Sequence, residues 1–150
     1  MSHESMATLS VSGNNEDGLK TTVNVRDLDG FIVDEPERLG GTNAGANPLE
    51  YFLGALSACT SIVLHYAARD EAFEYTGVDF NTEGTLDTRG FAGKADVQTY
   101  FQTIHLEVII DTDEPDERIQ EMKTIVEKRC PLYNLANDAN VNITSTWRKP

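Results

Sequence analysis

The stretch from Pro48 to about Arg69, PLEYFLGALSACTSIVLHYAAR, constrains the fold more than any other part of the chain. Phe52, Leu56, Cys59, Val63 and Tyr66 recur at spacings of four, three, four and three, the period of a helix with one apolar face. Leu49, Leu53 and Ile62 widen that stripe. Asn47 is placed to cap the helix, Pro48 suits its first position, and Glu50 puts a carboxylate where the helix dipole favours one. Gly54, Ala55, Ser57, Ala58 and Ala67 are small enough to let another backbone come close. The helix is therefore predicted to be central and packed on several sides, with Cys59 in its apolar face.

The flanking segments read as β structure. Ala7 to Val11 and Thr21 to Val25 are β-prone runs on either side of SGNNEDG, whose Gly, Asn and Asp suit a turn, so a hairpin is predicted. Phe31 to Val33 leads into DEPERLGGTNAGANP, a loop with three glycines, two prolines and no apolar period, long enough to be suspected of function. Beyond the central helix, Val78 to Leu86 and Val97 to Ile110 predict a long hairpin around Gly90 and Gly93. A second helix is predicted after Pro115, with Ile119, Met122, Val126 and Cys130 on its apolar face and Lys128 and Arg129 at its end. Pro131 disfavours helical geometry at Cys130, so the chain should break there and restart as a short helix to about Asn137. Cys130 then lies near a helix N-terminus. With Val141 to Trp147 as a closing strand, the order predicts an α+β fold.

At 150 residues the chain is expected to form a single domain, 1–150, with residues 1–6 disordered. Twenty-five acidic against 12 basic residues give a net charge of -13, which repels phosphate backbones and anionic headgroups, so nucleic acid is not expected as a partner. No run of about 18 apolar residues is present, so no membrane span is expected. The start, MSHESMATLSV, lacks the basic end and apolar stretch of a secretory signal, and a cytoplasmic location is expected. Cys59 and Cys130 fit neither a CxxC motif nor a four-ligand zinc site, and in a reducing compartment they read as buried or reactive thiols. His65 falls about 240 degrees around the helix from Cys59, a poor position for a Cys-His dyad. With His105 in a strand and His3 near the start, no metal site and no cofactor are expected.

The segments NPLEYFLGALSACTS and EKRCPLYN, in that order with a β-hairpin between them, resemble the two signature regions of the OsmC and organic hydroperoxide resistance superfamily. DEPERLGG resembles the loop before the first helix in the general OsmC-like branch, and the resemblance covers nearly the whole chain. It implies antiparallel sheets wrapped around central helices in an intertwined homodimer, with two active sites at the subunit interface. It implies that Cys59 attacks an organic hydroperoxide and becomes a sulfenic acid, that Cys130 converts this to a disulfide, and that a small or protein-bound dithiol restores both thiols.

In peroxide-reducing members a glutamate directly after the helix-starting proline pairs with an arginine of the N-terminal hairpin and activates the thiolate. Here that position is Leu49, the acid follows as Glu50, and SGNNEDG contains no arginine. Arg26 is the first candidate for the activating cation and Arg38 the second, with Glu50 orienting it. The residues themselves leave plainer roles open: Cys59 as a small core residue, Cys130 as a structural residue before proline, Glu50 as a helix-dipole residue. For the protein, the alternatives are a non-catalytic OsmC-like binding protein for a small apolar or thiol-bearing ligand, and a cysteine redox sensor.

Overall fold

The structure, a computed structural model, describes residues 5–150. The disorder expected for residues 1–6 lies, for residues 1–4 with His3, outside the described residues. The chain divides into two units at Tyr51 and Phe52.

In the first unit β1 (Ser12–Asp17), β2 (Lys20–Asn24) and β3 (Phe31–Val33) form an antiparallel sheet in that order. The predicted hairpin exists, but its first strand is not Ala7 to Val11; it is built from most of the predicted turn. Asp17-Gly18 supplies the tight reversal, with Gly18 at φ +57° and Asp17 paired with Lys20. The Asn15 side chain donates to Gly18 O at 3.0 Å and to Thr21 Oγ1 at 3.2 Å, holding the turn together. All six residues of β1 are exposed, so backbone pairing rather than apolar alternation selects this strand. After β3 the loop folds around Asp34 and enters helix α1 (Pro48–Asp70).

The second unit contains most of α1, then β4 (Gly77–Thr85), a short α2 (Thr88–Phe91), β5 (Thr103–Asp111), α3 (Asp116–Arg129), α4 (Pro131–Asp138) and β6 (Asn142–Arg148). Its sheet runs β4-β5-β6, antiparallel between β4 and β5 and parallel between β5 and β6. Helices α3 and α4 form the crossover that a parallel pair requires. On β5, Ile104, Leu106, Val108 and Ile110 are buried while the intervening residues are less so, as a strand with one core face demands. Leu106, Val108 and Ile110 pack with Leu64, Ala67, Ile119, Met122, Val126 and Trp147 in one cluster, and Ile104 with Leu56, Phe101, Ala136 and Val141 in another. Each fully buried Leu or Ile in such a core contributes about 1.5–3 kcal/mol.

Two further expectations are corrected here. The stretch 97–102 is not strand: Gln98 turns back to donate to Phe101 O at 2.8 Å, and regular pairing starts at Thr103. The Phe101 ring occupies the space beside Gly84, where a Cβ would come within 2.6 Å of it. The buried face of α1 is also rotated from the predicted stripe: Leu56, Ser57, Thr60, Leu64, Ala67 and Ala68 are inside, and Tyr66 is exposed. The hydroxyls of Ser57 and Thr60 can be buried because they donate to the carbonyls of Leu53 and Leu56, at 2.8 and 3.1 Å. By length and composition α1 could cross a membrane, but its six buried residues make it a core helix, in keeping with the expectation that no segment spans one.

Candidate active site

The site begins at the end of α3. Asp116 and Glu117 in its first turn and Lys128 and Arg129 in its last suit the helix dipole. Pro131 lacks an N–H and forces Cys130 out of helical geometry, to φ -77° and ψ 115°. The chain restarts at once as α4, with Pro131 in its first turn and Cys130 as its N-cap. Cys130 Sγ accepts from Tyr133 N at 3.4 Å. The predicted break, the short helix and the placement of Cys130 at its N-terminus are all observed.

The break aims the Cys130 sulfur at α1, where Cys130 Sγ lies 3.1 Å from Cys59 Sγ in S–H···S contact. Both cysteines are free thiols; Cys130 is fully buried and Cys59 is partly exposed. Burial pushes the Cys59 thiol above its ordinary value, and the hydrogen bond and Coulombic repulsion between the two sulfurs push the same way. A hydrogen bond from the Leu132 backbone, in the first turn of α4, opposes them. The start of α4 thus supplies one N–H to each sulfur. Chemically the pair is poised as a dithiol whose outer member meets a reactant and whose inner member is within reach of it.

The other predicted residues lie in the first unit. Glu50 and Asn47 form a reciprocal cap, Asn47 N donating to Glu50 Oε1 at 2.9 Å and Glu50 N to Asn47 Oδ1 at 2.8 Å. Arg26 is exposed at φ +50° in the turn after β2, and Arg38 is exposed in the turn Glu37–Leu39. Neither makes an ion pair among the described residues. Leu49 is 39% exposed. His65 lies edge-on to Tyr66, and His105 bonds Thr144 Oγ1 at 2.7 Å on the sheet. Among the described residues no group of three or more His, Cys, Asp and Glu side chains could hold a metal ion.

Two residues that organise these segments went unread in the sequence. Asp34 is buried and accepts from Glu35 N at 2.8 Å, Thr42 Oγ1 at 2.6 Å, and Thr42 N and Ala44 N at 3.1 Å. These donors, Thr42 Oγ1 foremost, lower its pKa to about 2. The loop closes so tightly around it that a Cβ on Gly41 would run into Glu35 O, and one on Gly45 into Ile32 O. The Gly-Gly-Thr that follows Asp34 was the available signal. The second residue, Asn134, lies within EKRCPLYN and bonds three carbonyls around the Cys130 break.

Fold and geometry together define a small α+β protein with a dithiol at a proline-broken helix junction. The profile of the OsmC-like protein family matches residues 41–146, and the chain belongs to that family. Its fold is similar to that of an OsmC-like protein from Mycoplasma pneumoniae, with a TM-score of 0.79, 22% identity, and 95% of this chain and 98% of that one covered. It is also similar to an organic hydroperoxide resistance protein OsmC from Legionella pneumophila, with a TM-score of 0.73, 19% identity, and coverage of 97% and 99%. A third similar structure is a Vibrio cholerae protein assigned to organic hydroperoxide resistance, with captopril bound in one of its active sites. Its TM-score is 0.69 at 21% identity, covering 97% of this chain and 94% of that one. No curated protein sequence matches the chain.

Proposed function

We propose that the protein reduces organic hydroperoxides to alcohols at the expense of thiols. The Cys59 thiolate attacks the terminal peroxide oxygen, the O–O bond breaks, the alkoxide leaves and takes a proton, and Cys59 becomes a sulfenic acid. Cys130 then attacks the Cys59 sulfur, water leaves, and a disulfide forms, which a small or protein-bound dithiol reduces by exchange. The observation that carries this reading is the 3.1 Å separation of the two sulfurs, with the outer thiol partly exposed and the inner one buried. Organic hydroperoxide resistance among the similar structures supports the substrate class.

The proposal includes a cytoplasmic, single-domain protein acting as a homodimer. In support, Gly54, Ala55, Ala58, Ile62 and Tyr66 leave an exposed small and apolar face along α1. Arg26, then Arg38, is the proposed source of the positive charge that lowers the Cys59 thiol, with Glu50 orienting it. The test is turnover of cumene hydroperoxide with a dithiol by the reduced protein. Absence of turnover, or the same turnover in Cys59→Ser, sinks the proposal.

A second reading is favoured by the raised Cys59 thiol: a binding protein holding a small apolar or thiol-bearing ligand without turnover. Captopril in an active site of the Vibrio cholerae protein supports that ligand class. Slow alkylation of Cys59 by iodoacetamide near neutral pH, together with no peroxide turnover, selects this reading.

A further inference from the structure

Pro131 creates a shortage of donors at the end of α3. Val126 O receives Cys130 N at 2.8 Å, the last regular bond of the helix. Glu127 O would next take the N–H of residue 131, which proline lacks. Lys128 O would take Leu132 N, but the break at Cys130, at φ -77° and ψ 115°, leaves that bond unmade. One side chain meets both carbonyls: Asn134 Nδ2 lies 2.9 Å from Glu127 O, 3.2 Å from Lys128 O and 2.8 Å from Cys130 O. Asn134 N also donates to Cys130 O at 3.1 Å, so the residue grips the break through backbone and side chain together.

We propose that Asn134 is a positioning residue for the dithiol. By bonding the carbonyls that Pro131 and Leu132 leave free, it fixes the angle at the Cys130 break and holds the Cys130 sulfur on Cys59. It thereby sets the rate at which Cys130 closes onto an oxidised Cys59. In that step Cys130 gives its proton to solvent and its thiolate forms the S–S bond, while the leaving group on Cys59 departs with the electron pair of the broken bond. This inference rests on the dithiol reading of the site but not on the identity of the oxidant.

The test uses the aromatic disulfide dithiobis-nitrobenzoate on the full-length reduced protein. Cys59 attacks it and releases one nitrothiobenzoate; Cys130 then attacks the mixed disulfide and releases the second. In Asn134→Ala the first release is expected at the wild-type rate and the second to slow by about tenfold or more, since small displacements of a reacting atom have large kinetic effects. Asn134→Ser, which retains one donor, is expected to fall between them and serves where the alanine variant does not fold. An unchanged second release in a folded variant, or equal slowing of both releases, overturns the assignment. A single release from the wild type overturns it together with the dithiol reading. A selectively slowed second release supports Asn134 whether or not the wild type consumes cumene hydroperoxide, so the two proposals fail separately.

Discussion

Cys59 and Cys130 come from different helices, yet their sulfurs lie 3.1 Å apart because Pro131 ends one helix and starts another at that point. The inner sulfur is fully buried and the outer one partly exposed. That order predicts how the two thiols divide the work. Cys59→Ser is expected to lose peroxide consumption entirely. Cys130→Ser is expected to consume about one equivalent and then stall, with turnover reduced by roughly a hundredfold or more, as when one member of a catalytic unit is removed. Mass spectrometry of a dimedone adduct at Cys59 in Cys130→Ser reads the trapped sulfenic acid.

Burial and Cys130 both raise the Cys59 thiol, so its reactivity should climb with pH unless a cation intervenes. The alkylation rate follows the thiolate fraction; a lowered thiol gives a plateau from near neutrality, a raised one a rate still rising above about pH 9. If Arg26 or Arg38 activates Cys59, its replacement by Ala moves the midpoint upward and slows peroxide consumption together. An unmoved midpoint in both variants removes the arginines from the site.

Asp34 links the loop before α1 to acid stability. Its folded pKa of about 2 lies below the ordinary 3.8, so the folded state binds the proton less readily than the unfolded state. The stabilisation is full above the unfolded value and disappears as pH falls from there through the folded one. Asp34→Asn is expected to be less stable than the wild type near neutrality, with the gap narrowing between about pH 4 and pH 2. Urea unfolding of both proteins across that range measures it, and a constant gap contradicts the assignment.

Gly84 and Phe101 make a steric prediction. A Cβ on Gly84 would lie 2.6 Å from two atoms of the Phe101 ring, so Gly84→Ala must displace a buried aromatic side chain. A loss of about 1–3 kcal/mol is expected by thermal or urea unfolding. Combined with Phe101→Leu, the loss should be less than the sum of the single changes, because the second substitution removes the obstacle.

What could be read in the sequence was what local chemistry decides. The Cys130 break, α4 and the buried Ile119, Met122 and Val126 follow from proline geometry and helical period, and all are present. The face of α1 was misjudged by about one residue because Ser57 and Thr60 count as polar, although carbonyls one turn back satisfy their hydroxyls. β1 was misplaced because a strand paired through its backbone needs no apolar side chains. Asn134 was unreadable as a clamp, since its part depends on a donor that Pro131 lacks and on one that the break turns away from Lys128 O. Cys59 and Cys130 were both named from sequence; their contact, set by the packing of distant segments, was left open.

The parallel seating of β6 on β5 bears on when the dithiol comes into being. Trp147, on β6, is part of the same core as Leu64, Leu106 and Val126. Chains emerge N-terminal end first during synthesis, so this core stays incomplete until β6, which follows both cysteines, has been made. The nascent chain therefore carries Cys59 and Cys130 as two unconnected thiols, and an oxidant met on the ribosome finds single cysteines rather than a pair able to protect itself by closing.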